Sequence, residues 1–143
     1  MRKLAPLGGI AVLALVMTAV ALAAPKGMGW SAKLNAMQEV PKQAVKAPNG
    51  KGVFHGTLNG NTLTWTLSFS GLSGAATAAH IHVGAMGKAG NVVVPLCAPC
   101  KPMTHGTSKL SKAVIKDASK HLLYVNVHTA KNPAGEIRGQ VAP

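Results

Sequence analysis

Two histidines separated by a single residue, His80 and His82, are the side chains best placed to do chemistry. Side chains alternate between the two faces of an extended strand, so these imidazoles would share one face, roughly 6 to 7 Å apart. Neutral imidazole is a common ligand of transition metals. The pair therefore predicts a metal chelate, with a metal-free histidine pair bonded to the backbone as the alternative.

A third histidine, His128, lies in another alternating segment. Apolar side chains occupy the odd positions from 123 to 127 and are expected to face the core, which places His128 on the opposite face. Three imidazoles with few thiolates or carboxylates suit copper(II), with zinc as the competitor. We predict a mononuclear copper site at His80, His82 and His128, which requires the His128 ring to lie within about 8 Å of either partner.

Two further side chains are candidate additional ligands. His55 is expected on the solvent face of a strand, and Met86 lies in a long loop. His105 in a second loop and His121 beside a turn are predicted to be surface residues, and a surface position is also the alternative for His55.

The two cysteines, Cys97 and Cys100, predict a disulfide that closes a loop, because residues 1–23 have a signal-peptide pattern and a disulfide is the default in an exported protein. A redox pair would need a helix starting at the first cysteine, and Pro99 and Pro102 interrupt the segment. A zinc half-site would need a second CxxC motif, which the sequence does not contain.

The elements that must position these residues are strands, because alternation recurs and no stretch keeps a helical period for three turns. The clearest strand is 62–70, with apolar odd positions and hydroxyl-bearing even positions, joined to 52–58 by Asn59-Gly60-Asn61 in a predicted hairpin. Further strands are predicted over 30–35, 78–83, 92–96, 108–115, 122–129 and 135–141, with long loops at 84–90 and 97–106. The predicted fold is all-β, an antiparallel β-sandwich of seven to eight strands.

The first 23 residues have the pattern of a signal peptide. Arg2 and Lys3 precede an uncharged apolar run over residues 7–23, which ends in a small-x-small pattern and is shorter than a spanning helix requires. We expect cleavage near residue 23, a single mature domain over 24–143, a secreted or periplasmic location, and no stable membrane span after cleavage, with an uncleaved anchor as the alternative.

The chain is strongly basic, with a formal net charge of +12 and only three acidic residues. Such a field attracts polyanions, and for an exported protein the anionic envelope polymers are the expected partners. Scattered lysines with few arginines or aromatic residues argue against nucleic acid. Three carboxylates, no glycine-rich phosphate loop and no nucleophile elbow give a hydrolase no support.

Five segments of this sequence together resemble a CHRD (chordin) domain. They are Gln-Glu-Val-Pro at 38–41, Gly-Leu-Ser-Gly at 71–74, Ala-His-Ile-His-Val-Gly at 79–84, Tyr-Val-Asn-Val-His-Thr at 124–129 and Pro-Ala-Gly-Glu-Ile-Arg-Gly-Gln at 133–140. Their order and spacing cover nearly all of residues 24–143. The resemblance implies a fold and an exported location more than an activity.

A second resemblance is to copper/zinc superoxide dismutase, an immunoglobulin-like Greek-key sandwich with His-x-His on one strand and another copper-binding histidine on a later strand. It implies His80, His82 and His128 as copper ligands and Arg138 as the arginine that draws superoxide to the metal. The bridging histidine and the zinc-binding cluster have no counterpart here. We expect a secreted binding protein, with a dismutase-like oxidoreductase and a metal-free adhesion module as the alternatives.

Three charged residues are expected to serve the scaffold. Glu136 and Arg138 alternate onto one face of the last predicted strand, and Glu39 matches an acidic position of the CHRD resemblance. We expect cross-strand charge pairs among them.

Overall fold

The structure, a computed structural model, describes residues 27–41, 45–46 and 49–143, and the predicted signal peptide lies outside them. The elements in chain order are β1 (Met28–Asn35), one turn of 3-10 helix (Ala36–Gln38), β2 (Lys51–Asn59), β3 (Thr62–Ser70), β4 (Ala76–Val83), β5 (Val92–Cys97), β6 (Met103–Lys109), α1 (Lys112–Ser119), β7 (Leu123–Thr129) and β8 (Ile137–Gln140). In the described part of the chain, no helix has the length and apolar character needed to cross a membrane.

The eight strands form one antiparallel sheet in the order β5-β4-β7-β8-β1-β2-β3-β6. The register between β8 and β1 consists of a single pair, Asn35 with Arg138, whereas the β1–β2 and β2–β3 ladders are long. The sheet therefore folds at this junction into a first layer, β5-β4-β7-β8, and a second layer, β1-β2-β3-β6. This arrangement confirms the predicted all-β fold and is consistent with a β-sandwich.

The inner faces of both layers enclose one hydrophobic core. The alternation predicted for β3 is confirmed, since its odd-numbered side chains are buried against the first layer. The hairpin between β2 and β3 is also confirmed, with Gly60 at a φ of 60° in the turn. The largest fully buried core side chains include Trp30, Phe54, Leu67 and Ile81.

Strand β7 is buried on both faces, which the sequence pattern did not predict. All seven of its residues are buried, including the polar ones that point away from the core. Three segments cover its outer face. Glu39, after the 3-10 turn, contacts Asn126, and Gly90, in the loop between β4 and β5, contacts Tyr124. Pro133, between β7 and β8, contacts His128. The first layer thus carries a shielded polar face.

The strand predicted over 108–115 is wrong. Strand β6 ends at Lys109, and helix α1 begins at Lys112 after Ser111, whose side chain accepts a hydrogen bond from the Val114 amide. Val114 and Ala118, four positions apart, are buried on one helical face. The helix has only two turns, so a test for three turns of helical period misses it.

The loop predicted over 97–106 is shorter in the structure, because β6 begins at Met103 and places His105 on a strand. The disulfide between Cys97 and Cys100 is confirmed. It closes the turn that leads from β5 to β6, the two edge strands of the sheet. The turn therefore links the outer edges of the two layers.

Candidate metal centre

The three predicted histidines meet on the outer face of the first layer. Strand β4 pairs with β7 in a register that aligns Ala78 with His128 and His80 with Asn126, so His128 lies beside the His80–His82 pair. The ring centroids are 5.6 Å apart for His80 and His82, 5.0 Å for His80 and His128, and 5.9 Å for His82 and His128. We call these three residues the histidine cluster.

The nitrogens of the histidine cluster are spaced as ligands of one ion would be. One ligand nitrogen from each residue lies within 4.8 Å of the others, and His80 Nδ1 is 3.1 Å from His128 Nε2. Two nitrogens that each lie about 2 Å from an ion, at about 100° around it, are themselves roughly 3 Å apart. Without an ion, the same separation corresponds to a hydrogen bond between two neutral imidazoles.

Backbone carbonyls hold two of the three rings. The Nδ1 atom of His82 lies 3.0 Å from the Gly90 carbonyl oxygen, and Nδ1 of His128 lies 3.0 Å from that of Pro133. Because a carbonyl only accepts, each Nδ1 must carry the proton, which leaves the lone pair on Nε2. Metal-binding histidines are typically held in this way by a partner behind the ring.

One of these lone pairs has no partner in the described part of the protein. His82 is only 8% exposed, so water does not reach its Nε2 atom freely. This atom is buried and makes no hydrogen bond. A buried acceptor without a donor is costly, and such atoms in native proteins usually mark a bound water, ion or ligand. His82 Nε2 therefore requires a partner that protein atoms do not supply.

The electrostatics of the cluster favour uncharged rings. Burial lowers the pKa of His80, His82 and His128 below the usual histidine value, and the neighbouring imidazoles lower it further for His82 and His128. Only the neutral ring has a lone pair to give a metal ion. The cluster is thus kept in the form that binds metal.

An aromatic and a cationic side chain lie behind His82. The Tyr124 ring stacks on its imidazole, and the Arg138 guanidinium carbon lies 3.5 Å from the Tyr124 centroid. The Tyr124 hydroxyl donates to the Gly90 oxygen at 3.2 Å, and Arg138 donates to the Ala85 oxygen at 3.0 Å. Tyr124 therefore separates Arg138 from the histidine cluster.

The other candidate ligands do not join the cluster. His55 is exposed on β2, and His105 on β6, so both lie on the outer face of the second layer, across the core. Met86 is 79% exposed in the loop after β4, and His121 follows α1 at a turn with a φ of 57°. The surface positions predicted for His105 and His121 are confirmed.

The expected charge pairs do not form as salt bridges among the described residues, although Arg138 lies close enough to Glu39 to lower the pKa of its carboxyl group. Glu136 is fully buried and accepts hydrogen bonds from Ser73, Thr129 and Asn132. Burial raises the pKa of Glu136, but these hydrogen bonds outweigh it and hold the pKa below its usual value. Glu39 instead accepts from the Asn126 amide at 3.3 Å.

Sequence reasoning missed the residues that support the cluster. Gly90, Pro133 and Tyr124 act through backbone oxygens or through stacking, and neither role has a residue-type signature. One available signal was the glycine at the end of the loop, since a side chain at Gly90 would collide with the Val83 oxygen.

Residues 30–141 match the family of the CHRD domain. The match covers most of the chain, so the protein belongs to the CHRD domain family. Comparison with curated proteins and with solved structures yields no match.

Proposed function

We propose that this CHRD protein is an exported metal-binding protein that holds one copper ion through His80, His82 and His128. The observation that carries the proposal is the buried, unpartnered Nε2 atom of His82. A copper ion among the three rings would satisfy that lone pair together with those of His80 and His128. Copper(II) is favoured over zinc because, at a site of nitrogen donors without thiolates or carboxylates, copper(II) has the higher affinity of the two ions.

The exported location is part of the proposal. Its support is the charged, then apolar, then small-residue pattern of residues 1–23 and the disulfide at Cys97 and Cys100, since disulfides persist in oxidising compartments. Cleavage near residue 23 would leave one domain over residues 24–143.

The position of Arg138 does not support the superoxide dismutase alternative. An arginine that guides superoxide must face the metal, but Arg138 is 2% exposed and lies behind the Tyr124 ring. We therefore propose a protein that holds copper and does not turn over superoxide.

Copper(II) titration of the untagged chain over residues 24–143, followed by calorimetry, tests the proposed site. We expect one tightly bound ion in the wild type and its loss in a His80→Ala, His82→Ala double variant. The matched control is His55→Ala, His105→Ala, which removes two exposed histidines from the second layer and should keep the ion. Competition with zinc should leave copper bound.

Wild-type protein that binds no copper, or equal binding by both double variants, would refute the copper site. Retention of anionic polymer that weakens steeply with salt and ignores chelators would then favour the metal-free adhesion module. If the wild type does bind copper at the three histidines, superoxide turnover by the copper-loaded protein would favour the oxidoreductase over the binding protein.

A further inference from the structure

A cavity of about 370 Å³ is lined in part by Arg138 and by no residue of the histidine cluster. Its volume lies in the range of small-molecule sites. Its walls come from three places in the chain, namely the 3-10 turn with the residues after it, the loop between β4 and β5, and β8. The lining includes Met37, Glu39, Pro41, Met86 and Arg138.

Glu39 gives this cavity an unmet requirement for a hydrogen bond. The residue is 4% exposed, and its Oε2 atom accepts from the Asn126 amide. Its Oε1 atom is buried and accepts no hydrogen bond of normal geometry from the described residues, although the nearby Val40 amide and the Arg138 charge both lower the pKa of the group. Burial of an unpaired carboxylate oxygen is costly, so a ligand that brings one donor to this atom gains the most.

Most of the other polar groups of the cavity already have partners. The Nη2 group of Arg138 donates to the Ala85 carbonyl and to the Gln140 side chain, Gln140 also donates to Gly84, and Gln38 donates to the Lys33 carbonyl. These bonds use only one amino group of Arg138, so its guanidinium can still donate to an acceptor. A hydroxyl, which both donates and accepts, therefore suits a cavity lined by Glu39 and Arg138.

The charge of the surroundings selects against a cationic donor. The guanidinium of Arg138 lies on the cavity wall, and the whole chain carries a formal net charge of +12. An ammonium group directed at Glu39 would be attracted by the carboxylate but repelled by Arg138, and it would lose its hydration among apolar walls, whereas a neutral hydroxyl meets no such repulsion and loses less hydration.

The apolar walls of the cavity favour a ligand with an aromatic ring. Met37 and Met86, 67% and 79% exposed, both line the cavity, and Val40 and Pro41 complete the apolar side. Thioethers contact aromatic rings favourably, and large exposed apolar side chains around a pocket are typical of a binding site.

We propose that this cavity binds a small, uncharged phenol, whose hydroxyl donates to Glu39 Oε1 and whose ring packs against Met37 and Met86. The site is separate from the histidine cluster and needs no metal. The proposed phenol binding can therefore be tested independently of copper binding.

Titration of the metal-free protein with phenol, followed by amide NMR shifts, tests the cavity. At about pH 8, above the pKa of about 7 to which burial raises Glu39, we expect saturable millimolar binding, with shifts at Gly87, Arg138 and Gln140. Toluene, which lacks the hydroxyl, should bind at least about tenfold more weakly. Benzylamine, a cation at this pH, should also bind more weakly than phenol.

Two variants locate the site. Glu39→Gln should reduce the preference for phenol over toluene, and Met86→Lys, on an exposed loop, should weaken the binding of both compounds. Met103→Lys is the matched control, because Met103 is equally exposed at 79% but lies on β6 in the second layer. Equal affinities for phenol and toluene, tighter binding of benzylamine, or unchanged binding by Met86→Lys would each overturn the proposal. The His80→Ala, His82→Ala variant should bind phenol normally.

Discussion

The imidazole of His82 and the ring of Tyr124 lie stacked, with centroids 4.8 Å apart and planes 11° from parallel. Arg138 covers the opposite face of the Tyr124 ring. The orientation of His82 is therefore fixed from behind by stacking and at its edge by the Gly90 carbonyl. Both contacts hold the ring in place before any ion arrives.

Replacing Tyr124 should weaken copper binding through the orientation of His82. Tyr124→Leu removes the stacked ring, and we expect a loss of copper affinity of roughly tenfold or more. Tyr124→Phe keeps the ring, loses only the hydroxyl contact with Gly90, and should lie between the wild type and the leucine variant. Calorimetric titration measures this order, and equal affinities in all three proteins would contradict it.

Gly90→Ala should damage the same site from the loop. A Cβ at this position would lie 1.6 Å from the Val83 carbonyl oxygen, so the loop must move and take with it the acceptor of His82 Nδ1. We expect copper affinity to fall roughly 10- to 100-fold. The control is Gly74→Ala, where an added Cβ meets nothing within 4 Å. Similar copper affinities in the two variants would show that the Gly90 contact does not matter.

Acid should destabilise the metal-free protein through the histidine cluster. The pKa of each histidine is lowered from 6.5 in the folded state. Below about pH 6.5 the unfolded chain therefore binds protons at these histidines that the folded protein does not yet bind. The free energy of unfolding should fall as the pH drops through 6.5, until the folded histidines are protonated as well. Denaturant unfolding of the wild type and of His80→Ala, His82→Ala across this range measures it.

The comparison with the double variant is needed because Glu39 acts in the opposite direction. Its pKa is raised from 4.5 to about 7, mainly by burial, so between these values the folded state holds a proton that the unfolded chain has lost. Stability from this group therefore decreases as the pH rises. A wild type and double variant with identical pH dependence would refute the contribution of the histidines.

Glu136→Gln should destabilise the fold strongly. The buried carboxylate accepts from the backbone and hydroxyl of Ser73, from Thr129 and from Asn132, and an amide nitrogen would face some of these donors. Hydrogen bonds to a charged group contribute about 1.5 to 3 kcal/mol each, so a loss of roughly 3 kcal/mol is expected. Chemical denaturation near neutral pH measures the loss. Glu39→Gln, which removes a charge that burial disfavours, should cost less, and the reverse order would contradict this assignment.

The sequence predicts strands well where one face meets the core and the other meets solvent. In β3 the alternation of Leu63 and Trp65 with threonines corresponds directly to burial. It fails near Ser111, because a two-turn helix is defined by one capping side chain and one buried pair, Val114 and Ala118. A helix this short repeats its apolar positions too few times for a helical period to be recognised in the sequence.

From the sequence, the three histidines could be predicted to meet only on the condition that their two strands are neighbours in the sheet. Alternation sets the face of His80, His82 and His128, but the adjacency of β4 and β7 depends on how strands distant in sequence pair. The covering of β7 from outside was likewise not predictable, since Glu39 reaches Asn126 from 87 residues away. Periodicity reports which side a residue faces and not what lies above it.

The distribution of the three histidines along the chain determines when the site can exist. His80 and His82 are near neighbours, but His128 lies 48 residues beyond His80 and joins them only when β4 and β7 pair. Before the sheet forms, the chain offers only the His80–His82 pair of this site. Pairing of strands so distant in the sequence is slow compared with local contacts. An ion held by all three histidines would therefore require the folded sheet, and unfolding should release it.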